Sequence, residues 1–208
     1  MTEHPILFSA PMVRAILDGC KTQTRRVIAP QPFAKLYQYM SRNEWYEADG
    51  DEPKYHTLHK SLYGVTGDRL WVRETWALWG VPDTTVQIAY RVDESCSTYQ
   101  PPPEAANKMR DMYIAADERK PHAAEMWRPS IFMPRWASRI TLEIVKVRTE
   151  QVQDISEIDA MDEGIPFNGD QPSPRDEFSL LWESINAERG FGWDVNPWVW
   201  VIEFKRVA

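Results

Sequence analysis

The densest chemistry in the chain lies at residues 18–27, DGCKTQTRRV, where a lysine, two threonines, two arginines and a cysteine fall together. A threonine hydroxyl attacks well only when a base takes its proton. A lysine can be that base when burial or nearby cations pull its pKa toward neutrality. Lys21 and Thr24 supply the two residue types, and Arg25 and Arg26 supply positive charge that favours the neutral amine. If residues 22–27 are extended, Thr22, Thr24 and Arg26 share one face. A solvated charged turn accounts for the same composition. Cys20 is a rival nucleophile whose cationic neighbours favour a thiolate, but no histidine lies near it in sequence.

Other candidates are scattered. Glu163 closes a short acidic helix just before Gly164, where the helix dipole opposes a carboxylate, so a role other than helix stability is expected of it. Arg73-Glu74-Thr75-Trp76 follows a strand pattern: Glu74 can accept from an exocyclic amine and Trp76 can stack on a flat base. An amphipathic strand edge over a core tryptophan is the plainer reading of the same residues. His56 and His59 (HTLH) have no further ligands at metal-binding spacing, so no metal is expected. There is no Gly-rich phosphate loop, no G-x-S-x-G and no H-x-E with P-C-x-x-C, which disfavours zinc-dependent base deamination; no cofactor is expected.

The elements that must position these residues are short. Residues 5–9 (PILFS) read as a strand, and residues 10–17 as a helix, with Met12, Val13, Ile16 and Leu17 at helical spacing and Gly19 as its C-cap. Residues 22–28 then leave as an extended, β-branched run. Residues 31–61 form a polar excursion. Strands are expected at 69–75, 86–92, 111–115 and 198–206, with a loop and one helical turn over 95–110 and a proline-punctuated loop over 120–136. Residues 138–148 (SRITLEIVKVR) alternate most cleanly, with Ile140, Leu142, Ile144 and Lys146 on one face and Thr141, Glu143, Val145 and Val147 on the other. Residues 155–163 form a short helix with Ser156 as N-cap and Asp159 closing an acidic capping box, and residues 174–187 an amphipathic helix carrying Phe178, Leu181, Trp182 and Ile185 on one side. Scattered strands with short helices imply an α+β, mainly β fold, a small barrel or curled sheet.

Length and composition bound the function. At 208 residues the chain is a single domain with insertions, long enough for a real core. Ten Trp provide rigid apolar surface, and sixteen Pro imply ordered loops. The net charge of −7 argues against tracking along a nucleic acid backbone, while a nucleoside or one exposed base is easier to accommodate. Two cysteines give no disulfide framework, and neither a signal pattern nor an apolar run of membrane-spanning length is present, so a cytoplasmic protein without membrane contact is expected.

Gly19-Cys20-Lys21-Thr22-Gln23-Thr24-Arg25-Arg26 resembles the G-x-K-x-x-x-x-R signature of the ASCH domain family. Three further blocks resemble it: TGDRLWV at 66–72, the acidic helix at 155–164 and WVIEF at 200–204. RETWA, RPSIFMPRWASRI and NPWVWV are similar to the large members found in phages and prophages. The resemblance implies a PUA-like β-barrel over residues 1–208, with insertions near 29–63 and 77–136. It is best for the small bacterial members that hydrolyse N4-acetylcytidine without a metal. It implies Lys21, Thr24 and Glu163 as catalytic residues, with Asp162 and Glu157 as neighbouring alternatives to Glu163. Arg26, Glu74, Trp76 and Ser9 would then bind substrate, a backbone N–H near Ser9 or Arg26 stabilising the oxyanion. The expected partner is a small modified nucleoside or nucleobase. RNA is the partner if the chain is a non-catalytic binding module or a ribonuclease of the same fold.

Overall fold

In the computed structural model the described residues are 1–207 without 33, 39–43, 49–57, 81–84, 119–126, 168 and 170–171, and of strand residues 48 and 58 and helix residues 112–118 only the backbone is described. The first apolar alternation becomes β1 (Glu3–Leu7), and the run with Val13 and Ile16 on one side becomes α1 (Ala10–Leu17). Gly19 follows at φ +78°, a left-handed turn that a side chain resists, and the N–H groups of Cys20 and Lys21 both donate to the Ala15 carbonyl, at 2.8 and 3.0 Å. The chain leaves this turn as β2 (Gln23–Val27). Within the polar excursion, β3 (Lys35–Gln38), β4 (Trp45–Ala48) and β5 (Leu58–His59) form a three-stranded sheet in that order; residues 33, 39–43 and 49–57, His56 among them, lie outside the described residues.

After the Gly67 turn come β6 (Arg69–Arg73) and the meander β7 (Trp76–Gly80), β8 (Val86–Tyr90) and β9 (Cys96–Tyr99). Next stands α2 (Pro103–Glu118), where a loop and a strand at 111–115 are expected. DMYIA reads as a strand in isolation. It continues a helix that Pro103 opens and that Glu104, Ala105, Ala106, Lys108 and Met109, all strong helix formers, propagate. The loop expected at 120–136 lies partly outside the described residues; Ser130–Phe132 and Arg135–Ala137 are 3₁₀ turns. The chain ends with β10 (Thr141–Gln151), α3 (Glu157–Asp162), α4 (Pro174–Asn186) and β11 (Trp198–Arg206).

The main sheet runs β1-β6-β10-β11-β2, with β11 antiparallel to both β10 and β2. The architecture is mixed α+β, mainly β, and the described strands make three open sheets without closing a barrel. The chain forms two compact units. Unit 1 comprises Met1–His4, Ala15–Leu70 and Leu142–Val207, and unit 2 comprises Pro5–Arg14 and Trp71–Thr141. In unit 1, Ile155 just before α3, Ala160 within it, Phe178 and Trp182 of α4, and Val199 and Val201 of β11 form one apolar cluster. That cluster seats both helices on one face of β11 and so positions the end of α3. In unit 2, Trp76, Leu78, Ile88, Tyr90 and Met133 pack together. Among the described residues no helix is long and apolar enough to cross a membrane.

The β10 alternation breaks partway. Ile144 opposes Phe204, but Lys146 opposes Glu203 and Val147 opposes Ile202, so Val145 is the extra residue of a bulge. The slip moves Val147 onto the buried face of Ile144, at 6% exposure, and leaves Val145 exposed at 47%. Val147→Asp should therefore cost at least about 2 kcal/mol in urea unfolding, whereas Val145→Asp should change stability by less than about 0.5 kcal/mol. Equal losses would show an unbulged strand.

Candidate functional site

The site in unit 1 is built where α3 ends against the turn leading into β2. Ser156 caps α3, its hydroxyl accepting the Asp159 N–H at 3.1 Å, as the capping pattern predicts. Glu163 is the C-cap, and Gly164 follows at φ +91°. A Cβ on Gly164 would stand 2.9 Å from the Ala15 Cβ and 3.3 Å from the Lys21 Cβ, so the glycine is needed for both its conformation and its close approach. Lys21 and Glu163 form an isolated antiparallel bridge, and the Thr22 N–H donates to the Asp162 carbonyl at 2.8 Å.

This backbone junction presses two side chains together. The Lys21 Nζ donates to Glu163 Oε2 at 2.5 Å and to the Glu163 carbonyl at 2.7 Å, with both side chains almost fully buried. Arg25 Nη1 donates to the other oxygen, Oε1, at 3.1 Å. Arg25 is itself held by Glu150, whose Oε1 accepts from Nε at 2.7 Å, and by Asp159 Oδ2 at 3.3 Å. Gln23 Nε2 donates to Asp159 Oδ1 at 2.8 Å. Within β2, alternation puts Gln23 and Arg25 on one face, where both meet α3, and Thr24 and Arg26 on the other, with Ile202 and Trp200 as cross-strand partners; Lys21 precedes the strand. Burial lowers the Lys21 pKa by desolvating its ammonium; the pull of Glu163 opposes this, and the Arg26 and Arg25 charges add to the lowering. Burial likewise lowers the pKa of Arg26.

The structure thus brings Lys21 and Glu163 into contact and puts buried Thr24 on the neighbouring strand. Asp162 and Glu157 do not take the place of Glu163: Glu157 instead accepts from Ser173 and from the Arg175 N–H, and Asp162 lies 3.4 Å from Gln23 Nε2. Cys20 is exposed. The sequence reading gave Arg25 only a charge acting on Lys21, left Gln23 without a role and passed over Asp159 as more than a cap, because their partners lie more than a hundred residues away. It also missed a buried pair in the β3-β4-β5 sheet, His59 Nε2 and Glu47 Oε1, 2.5 Å apart. A glutamate two residues after buried Trp45, on the same face of β4, was the available signal.

Ser9, Glu74 and Trp76 belong to unit 2. Ser9 and Glu74 line one cavity of about 550 Å³. Glu74 is 1% exposed, and its two oxygens accept from Arg139 Nε and Nη2 at 2.9 and 2.8 Å. Burial raises the Glu74 pKa against the pull of Arg139. Asp93 accepts from Arg139 Nη1 at 2.8 Å; burial pushes its pKa up, but hydrogen bonds from Arg139 and Ser95 hold it at about 2. Trp76 does not offer the expected stacking platform. It is 4% exposed inside the unit 2 core, with the Arg128 guanidinium 5.5 Å from its ring centre. Its position in β7 places it on the face that packs inward. Among the described residues no three acidic, histidine or cysteine side chains gather as a metal centre.

No family model, curated protein or solved structure matches the chain.

Removing one partner of a buried ion pair strands the other charge and costs about 3–5 kcal/mol. Glu163→Ala strands both Lys21 and one edge of Arg25, so that loss is expected in urea unfolding. Lys21→Met leaves Glu163 with Arg25 and should lose less than half as much. Equal losses would mean that Arg25 does not share the carboxylate.

Proposed function

We propose that the chain is an amidohydrolase that removes the acyl group from the exocyclic N4 of an acylated cytosine or cytidine, on a PUA-like fold of the ASCH type. One observation carries the reading: a dry lysine, Lys21, held by Glu163 at 2.5 Å at the mouth of the strand that bears Thr24. Burial favours the neutral amine, and Arg25, by drawing on the same carboxylate, weakens the hold of Glu163 on the lysine proton.

In the proposed reaction Lys21 accepts the Thr24 hydroxyl proton as Oγ1 bonds to the acyl carbon. Positive charge from Arg26 offsets the oxyanion. Collapse breaks the bond from carbon to N4, and the proton returns through Lys21 to the leaving amine. Water then hydrolyses the acyl-threonine, releasing a carboxylic acid and restoring the hydroxyl. Glu163 orients Lys21 throughout.

The test is a panel of N4-acylated cytosines and cytidines followed by absorbance. Release of cytosine or cytidine is expected from the intact protein and a loss of at least about a hundredfold from Lys21→Ala and from Thr24→Ala. Full activity in Lys21→Ala would end the proposal, and RNA cleavage or turnover-free RNA binding would replace it with a nuclease or a binding module.

The rate should also report the lysine. The neutral fraction of Lys21 grows as pH rises, so kcat/KM should climb with pH and level off through an apparent pKa below the ordinary lysine value of 10.5. A profile that falls across that range would mean that Lys21 acts as a cation.

A further inference from the structure

We infer that the β3-β4-β5 sheet is a lid over the face of β2 that bears Thr24 and Arg26, closed in this structure and lifted to admit a ligand. The inference rests on the reading above only for what enters, an acylated base. The cover itself rests on packing inside unit 1.

Strand register places it. Leu36 of β3 opposes Glu47 of β4, and Trp45 of β4 opposes His59 of β5. Opposed residues of antiparallel strands share a face, and Trp45 and Glu47 stand two apart, so these four side chains lie on one face of the small sheet. None of the four is more than 5% exposed, whereas Tyr37, on the other face, is 49% exposed. On the main sheet Arg26 opposes Trp200 and Thr24 opposes Ile202. The Trp45 and Trp200 rings meet edge to face, their centres 4.6 Å apart. The buried face of the small sheet therefore lies on the face of β11 and β2 that carries Thr24, while α3 and α4 cover the opposite face through Val199 and Val201.

The proposed chemistry requires this cover to move. Lys21, Thr24 and Glu163 are 2–4% exposed, so no substrate meets the hydroxyl while the sheet is in place. Lifting it breaks no ladder, because β3, β4 and β5 pair only with one another. Its roots stay fixed. Gln31 Nε2 donates to the Ile28 and Trp198 carbonyls at 2.6 and 3.0 Å, and its Oε1 accepts the Trp198 N–H at 2.8 Å. At the other root Asp68 accepts the Val65 N–H at 3.2 Å. The seam is also partly polar. Glu47 Oε1 meets His59 Nε2 at 2.5 Å, and Glu47 Oε2 has no hydrogen-bond partner among the described residues. A buried acceptor without a partner is costly, and water reaching it on opening returns that cost. Open and closed states thus lie closer in free energy than they would across a wholly apolar seam.

Thiol labelling of Thr24→Cys in the full chain tests this. Cys20 and Cys96 are exposed and should react at once. The thiol at position 24 should react at least about a hundredfold more slowly, at a rate nearly level in low urea, since lifting the lid exposes far less surface than unfolding. Trp45→Ala should raise that rate at least about tenfold. In the unsubstituted protein, deuterium uptake over β4 should be equally insensitive to low urea, while uptake over β11 follows global unfolding; this decides the matter if Thr24→Cys does not fold. Labelling at position 24 as fast as at Cys20 would mean that nothing covers it. Labelling or β4 uptake as steep in urea as global unfolding, or no response to Trp45→Ala, would mean a fixed wall. No acylated substrate is used, so slow local labelling without hydrolysis keeps the lid and loses the hydrolase, and hydrolysis with labelling only on global unfolding does the reverse.

Discussion

The contact on which unit 1 depends is the Glu163 carboxylate shared by two buried cations, Lys21 on one oxygen and Arg25 on the other. Charges taken out of water are costly unless each is paired and hydrogen-bonded. Here the balance extends outward: Arg25 also meets Glu150 and Asp159, and Arg148 joins both of those carboxylates near the surface. The network grades from dry at Lys21 to half-wet at Arg148. Its dry end can stay dry only because Gly164 lets the end of α3 approach the Lys21 backbone. Chain conformation at one glycine and electrostatics at one carboxylate are therefore a single constraint.

That constraint also sets what β2 can offer. The cluster ties Lys21, Gln23 and Arg25 to α3 and fixes which face of the strand points there. Alternation then leaves Thr24 and Arg26 on the other face, beside Ile202 and Trp200. A slip of one residue would exchange the two sets and turn Gln23 and Arg25 away from α3, which the salt bridges oppose. Specificity of register is the best-attested use of buried polar groups.

Legibility in the sequence followed the range of the information. α1 and β11 occupy the residues that periodicity assigns, and α4 differs by one residue at its end, because hydrophobic spacing and caps are local signals. The capping box of α3 was equally legible. The lower half of β10 was not, since a bulge is set by the partner strand. The helix at 103–118 was hidden because a five-residue apolar run looks the same in a strand and inside a helix already nucleated upstream. Glu163 stood out through its unfavourable place at a helix C-terminus, yet Arg25, its second partner, carried no local mark. Trp76 shows the converse: a tryptophan beside charge has the same sequence signature whether it packs in a core or faces a ligand.

Two buried glutamates, Glu163 and Glu74, meet arginine in the same chain and end with different capacities. Glu163 spends one oxygen on a lysine and the other on an arginine, in a junction closed by Gly164. Whatever meets that carboxylate must act through Lys21, which suits a group that orients a proton carrier. Glu74 gives both oxygens to one guanidinium edge and is 1% exposed. The bidentate clamp holds its plane, and the same Arg139 donates to Asp93, so one guanidinium fastens two carboxylates. Burial raises the Glu74 pKa, and the hydrogen bonds and charge of Arg139 oppose that rise. Geometry around each carboxylate, more than the presence of a glutamate, thus separates one that holds a lysine from one that fastens an arginine.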